Sequence, residues 1–158
     1  MPIKCTTDPR RFDELLKTIR EIVFSEIKNT LSFLGEQCVR RIKDRSAEES
    51  WIDQTGNLRS SIGYAIYDYG KKMMQSSFDT VLNGSEGSAE GKRFVNELAT
   101  QFANVYALVV VAGMNYAAYV EAIESKDVLA STELWAKAKV GDYVRKAQEK
   151  AIRRIKAL

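Results

Sequence analysis

Between Phe12 and Ile42 apolar residues return every three or four positions, through Leu15, Leu16, Ile19, Ile22, Val23, Ile27, Leu31, Leu34 and Cys38, with charges between them. That spacing belongs to an amphipathic helix with more than one apolar face, and a helix this long in a chain of 158 residues leaves the rest to pack against it. Asp8 is placed to cap its start, with Pro9 at the first helical position. Gly35 sits inside the pattern at a cost of about 1 kcal/mol relative to alanine, which predicts a bend or the close approach of another backbone.

The charge-rich stretch Ser46-Ala47-Glu48-Glu49-Ser50 ends this periodicity, and Trp51-Ile52 lead into Thr55-Gly56-Asn57-Leu58-Arg59-Ser60-Ser61-Ile62. Thr55 and Asn57 have short polar side chains that hold turns, and Gly56 accepts backbone angles other residues resist. One helical turn carrying Leu58 and Ile62 inward is expected. Tyr64-Ala65-Ile66-Tyr67 alternates as a strand does, Asp68-Tyr69-Gly70-Lys71 reads as a hairpin turn with Gly70 left-handed, and Lys72 to Ser77 forms the return.

Asn83 to Gly91 is rich in glycine and small polar residues and predicts a mobile loop, with helical spacing resuming from Lys92 to Ala103. Tyr106 to Ala112 is a continuous apolar run stopped by Gly113, the pattern of a central strand buried on both faces. Gly113 is expected to hold a positive φ. Asn115 would cap a helix burying Tyr116, Tyr119, Val120 and Ile123, and a last helix starts near Ser131 or Thr132 with Glu133 in its first turn and Arg153, Arg154 and Lys156 near its end. The elements add up to a single α+β domain over 1–158, a small antiparallel sheet of three or four strands packed on a long N-terminal helix and a C-terminal helix.

The chemistry available is narrow. The chain has no histidine, which removes the commonest general base and metal ligand. It has no closely spaced cysteines, no calcium-type acidic loop and no phosphate-cradling glycine run, so no enzyme, metal or cofactor is expected. Cys5 and Cys38 read as reduced thiols, since no secretory signal precedes them, and no apolar run approaches the length of a membrane span. A cytoplasmic protein follows.

Three signals carry competing readings. Lys137, Lys139, Arg145, Lys146, Lys150, Arg153, Arg154 and Lys156 make the last helix basic, which suits either a solvated face or contact with nucleic acid. The net charge of only +3 favours the solvated face. Glu121, Glu124 and Asp127 cluster, but read as solvated charge. Trp51 and Tyr69 lie in or beside connections and are candidate anchors for a partner, whereas Tyr64, Tyr116 and Tyr119 are assigned to the core.

The turn Thr55 to Ile62 and the segment Val109-Val110-Val111-Ala112-Gly113-Met114-Asn115-Tyr116-Ala117-Ala118-Tyr119-Val120-Glu121 together resemble a family of tailed-bacteriophage neck proteins. This is the head–tail joining or tail-completion family named after gene product ten of a lambdoid phage. Its pattern is a long N-terminal helix, a threonine-glycine-x-leucine-arginine-x-serine-isoleucine turn, a small sheet, a tyrosine-alanine-x-tyrosine-valine-glutamate helix and a C-terminal helix. Thr55, Gly56, Leu58, Arg59, Ile62, Gly113, Tyr116, Tyr119 and Glu121 carry the match.

The resemblance implies a non-enzymatic structural protein of a phage or prophage, assembled in the bacterial cytoplasm and placed in the virion neck or tail. Its partners would be neighbouring neck and tail proteins and its own copies in a ring, with no membrane and no nucleic acid. Tyr69 is a candidate for the subunit contact, and Trp51 and the outer face of the long helix are expected on one side of it. Ser85, Glu86 and Gly87, in the loop that would order on assembly, are expected on the other. A small nucleic-acid-binding module using the basic last helix is the alternative.

Overall fold

The structure, a computed structural model, describes residues 8–46, 51–123 and 126–158. Cys5, most of the break at 46–50 and Glu124 lie outside the described residues. Helix α1 runs Pro9–Lys43, with Asp8 accepting a hydrogen bond from the Arg10 amide at 3.0 Å and Arg40, Arg41 and Lys43 in the last turn, where the helix dipole favours cations. There follow α2 (Asn57–Ser60), β1 (Ile62–Asp68), β2 (Lys71–Gln75), α3 (Ser85–Glu97) leading into a 3-10 turn at Leu98–Phe102, β3 (Tyr106–Ala112), α4 (Ala117–Ala122) and α5 (Ala130–Ile155). The fold is α+β, with one antiparallel sheet of three strands in the order β2-β1-β3.

The central strand is therefore β1, not β3. Residues 62–67 of β1 are buried, whereas β3 is mostly half-buried and lies at an edge. The apolar run in β3 reflects helices over both its faces rather than strands on both its sides. Tyr64, on one face of β1, meets α1, while Ala65 and Tyr67, on the other, pack with Val95 of α3 and with Phe78 and Val111. Tyr67 is wholly enclosed, its hydroxyl donates to the Val95 carbonyl, and its ring stacks on Phe102 with centroids 5.4 Å apart. Burial pushes its phenol pKa up.

Gly35 is where α1 touches the sheet. A Cβ there would stand 2.6–2.9 Å from three ring atoms of Tyr64, so the close approach comes from a side chain rather than another backbone. The Tyr64 hydroxyl is 3.0 Å from the Ser32 hydroxyl, which holds the ring in place. Alanine normally stabilises a helix interior over glycine by about 1 kcal/mol. Gly35→Ala should instead destabilise the protein by about 1–2 kcal/mol in urea unfolding, because the fully buried ring has nowhere to move. A net gain in stability would show that the ring yields.

The segment 83–91 is not a loop. From Ser85 it is the first half of α3, and the small residues that suggested mobility are what let this helix sit against backbone. Gly87, Ser88, Gly91 and Val95 form its buried side. A Cβ on Gly87 would fall 1.8 Å from the Asn57 carbonyl oxygen, and one on Gly91 2.5 Å from the Phe78 ring. Ser88 donates to the Phe78 carbonyl at 2.6 Å. Composition alone cannot separate a flexible stretch from a helix packed at close range.

Helix α5 lies along α1, joined by Phe33 with Tyr143 (5.8 Å between centroids), by Arg41 over the Trp135 ring at 5.5 Å and by Arg154 with Glu26 at 2.8 Å. It begins at Ala130, just before the expected start. No helix among the described residues is long and apolar enough to cross a membrane.

Candidate functional site

The two motifs that are about fifty residues apart in sequence meet at the end of the sheet. The Asp53 carboxylate accepts from the Gly56 amide at 3.0 Å, Thr55 Oγ1 accepts from the Asn57 amide at 3.3 Å, and Gly56 holds φ +82°. Leu58 and Ile62 are thereby delivered into a core with Ile42, Trp51, Ala117 and Val128. The Gly113 amide then donates to the Ser61 carbonyl at 3.1 Å and the Met114 amide to the Ser61 hydroxyl at 3.3 Å, so the second motif leaves the sheet from the turn made by the first.

Arg59 fastens this junction to α1. Its guanidinium donates to the Lys43 carbonyl, lies 3.5 Å from the Asp53 carboxylate and covers the Trp51 ring at 5.3 Å. Trp51 is thus a core residue, 5% exposed, and not a partner anchor as expected. Its position beside a connection concealed that Arg59 and the end of α1 close over it.

Glu121 is not idle surface charge either. One carboxylate oxygen accepts from the amides of Leu129 and Ala130 at 2.9 and 2.7 Å, which satisfies the first donors of α5. Asp127 adds a bond from the Ser131 amide at 3.1 Å and an ion pair with Arg45 at 2.7 Å. Arg45 also donates to the Asp127 carbonyl at 2.8 Å and to the Thr132 hydroxyl. Burial raises the Asp127 pKa, but the Ser131 and Arg45 bonds together outweigh it and hold the carboxyl below its ordinary range.

Other assignments change. Gly113 has no positive φ; a Cβ there would stand 2.6 Å from the Gly91 backbone, so close packing on α3 is what excludes a side chain. Asn115 does not cap α4, whose first flanking residue is Tyr116 with no side-chain bond. Tyr119 is 68% exposed and Tyr116 and Ile123 more than a third exposed, because α4 turns Ala117 and Val120 to the core instead. Ser85 and Glu86 are exposed, Glu86 accepts from the Asn57 amide group at 3.1 Å, and Gly87 is buried under α2. Tyr69 remains exposed on the hairpin, at φ +46°, edge-on to Tyr106 at 5.3 Å.

Two apolar surfaces lie away from this junction. One is the start of α1: the first buried residue of that helix is Ile22, and Arg154 reaches α1 only at Ser25 and Glu26. The first turns of the helix, residues 9–17 or about 13 Å, are exposed all round, with Phe12 53%, Leu15 43% and Leu16 46% exposed on one side. The other is a groove of about 640 Å³ with α1 as its floor, β3 along one wall and α5 along the other. Cys38 lies in that floor, and burial raises its thiol pKa against the opposing effect of Arg41, so it stays protonated. The arm was legible as the amphipathic stripe before Ile22, whereas the groove required the packing.

Among the described residues no three His, Cys, Asp or Glu side chains converge as a metal site. Of the basic residues on α5, Lys137 pairs with Glu133 at 2.5 Å, Arg145 with Asp142 at 3.0 Å and Arg154 with Glu26 at 2.8 Å. Comparison with protein-family models, with characterised proteins and with solved structures finds no match to this chain.

Proposed function

We propose that this chain is a non-enzymatic structural protein of a phage or prophage that joins the capsid neck to the tail as a closed ring of identical copies. The phage assignment rests on the resemblance of the two motifs, and the assembly role is supported above all by the arm of α1. A head-to-tail ring requires one patch on each copy to meet a different patch on the next. Phe12, Leu15 and Leu16 form one such patch, with exposed Tyr69, Ser85 and Glu86 as candidates for the facing side. Ordering of 83–91 on assembly has no part in this reading, since the segment is already helical from Ser85 onward.

Magnitudes decide the expected behaviour in solution. Covering the exposed remainder of the three arm side chains contributes roughly 3 kcal/mol, less than the 4–15 kcal/mol or so that association costs in lost freedom. The isolated chain should be monomeric when dilute and close into rings only where neighbouring neck proteins add contacts. The double variant Phe12→Glu with Leu16→Glu should keep its unfolding midpoint within about 2 °C. In the phage it should lower the yield of joined particles by roughly 100-fold, seen as separate heads and tails by electron microscopy. Normal yields of infectious tailed virions would overturn the role of the arm, and a gene distant from any capsid or tail gene would overturn the neck assignment.

A further inference from the structure

The two edges of the sheet are built differently. The outer strand β2 begins Lys71-Lys72, and its register against β1 slips between Ile66 and Tyr67, two devices that keep a strand edge from pairing with another chain. The opposite edge, β3, reads Tyr-Ala-Leu-Val-Val-Val-Ala, with no charge, no proline and an unbroken register along β1.

Register tells which β3 groups are free to pair. The Tyr69 amide bonds the Val105 carbonyl and the Gly113 amide bonds the Ser61 carbonyl, so the hydrogen-bonded pairs are those of Val105, Ala107, Val109, Val111 and Gly113. In an antiparallel ladder the alternate residues direct their N–H and C=O groups the other way. Those of Tyr106, Leu108, Val110 and Ala112 face the open edge, and among the described residues no backbone bond reaches them.

The side chains of Tyr106, Leu108 and Val110 also line the groove beneath α5. The edge is seven residues long, about 23 Å, and the facing α5 wall from Leu129 to Val144 spans about the same. Charge restricts the occupant further: β3 has none, and the two charged lining residues, Glu133 and Lys137, neutralise each other at 2.5 Å. A charged side chain entering here would lose its hydration without gaining a partner.

We propose that this edge and groove form a docking slot for one extended, uncharged segment of a partner protein, which adds to the sheet beside β3 and places every second side chain, apolar, between β3 and α5. Backbone pairing would supply affinity and the groove the preference for apolar residues at alternate positions. Helix α5 bounds the slot on the side away from β3. Such a slot does not require ring assembly, and a ring does not require the slot.

The test uses the full chain and a blocked nine-residue peptide of alternating valine and threonine with a lysine at each end. Amide hydrogen exchange at Leu108 and Val110 should slow about tenfold with peptide, while Ala107 and Val109, already paired with β1, should not change. The same peptide N-methylated at alternate amides on its pairing edge should have no effect, and Leu108→Pro, which removes an outward donor but no ladder bond, should abolish the response to the unmodified peptide. The methylated peptide decides the matter even if Leu108→Pro fails to fold. No slowing at millimolar peptide, or equal slowing by the methylated form, would overturn the slot. Protection that rises with protein concentration in the absence of peptide would assign the edge to a second copy instead and overturn the partner proposed here.

Discussion

Gly113→Val should lower the unfolding free energy by about 3 kcal/mol and the melting temperature by roughly 6–12 °C, although the position is only half-buried. The reason is distance: the first added carbon would be 2.6 and 2.7 Å from Gly91 Cα and N, which are backbone atoms of α3 and cannot rotate away. Relief requires moving α3, and α3 is held by Ser88 on the Phe78 carbonyl and by the Gly87 approach to Asn57. Gly113→Ala should cost about half as much, since it adds one of the three carbons. Native-like stability of the valine variant would mean that α3 is a loose element, contrary to the packing described.

Asp127→Ala should cost about 3 kcal/mol at neutral pH, because it leaves the Arg45 guanidinium, whose side chain is only 9% exposed, without its carboxylate. The pH dependence fixes the cause. Asp127 has a folded pKa below its ordinary value of 3.8, so its contribution is fully present above about pH 4 and is lost as pH falls through the lower folded value. The stability gap between the wild type and Asp127→Asn should therefore be flat from pH 7 to 5 and close on further acidification, measured by urea unfolding at each pH. A gap unchanged down to pH 2 would assign the effect to lost packing and not to the ion pair. Replacing both partners, Arg45→Met with Asp127→Leu, should recover most of the loss, since no buried charge is then left behind.

The contrast between α1 and α3 shows where sequence reading succeeds and fails. Helix α1 was legible because its cap, its proline and its periodicity are local, and local signals agree with the packing over most of its length. The first half of helix α3 is not legible in the sequence because Gly87 and Gly91 have poor helix propensity, and only contacts with Asn57 and Phe78 reveal why they are there. The burial of Trp51 is hidden from the sequence for a related reason. Its burial depends on Arg59 and Lys43, eight residues away on either side, brought together by α2.

By itself the sequence determined the α+β class, the long helix and its Asp8 cap, the hairpin with Gly70 at φ +83°, and the turn at Gly56, all of them consequences of spacing or of single-residue backbone preference. Tertiary structure alone decided which strand lies in the middle, that Gly113 is excluded from having a side chain by Gly91, that Glu121 and Asp127 hold the start of α5, and that β3 presents an uncharged open edge to a groove. Each of those depends on residues far apart in the chain meeting at a few ångströms. Apolar character says that a residue seeks cover, but which neighbour covers it is settled by how the helices close over the sheet.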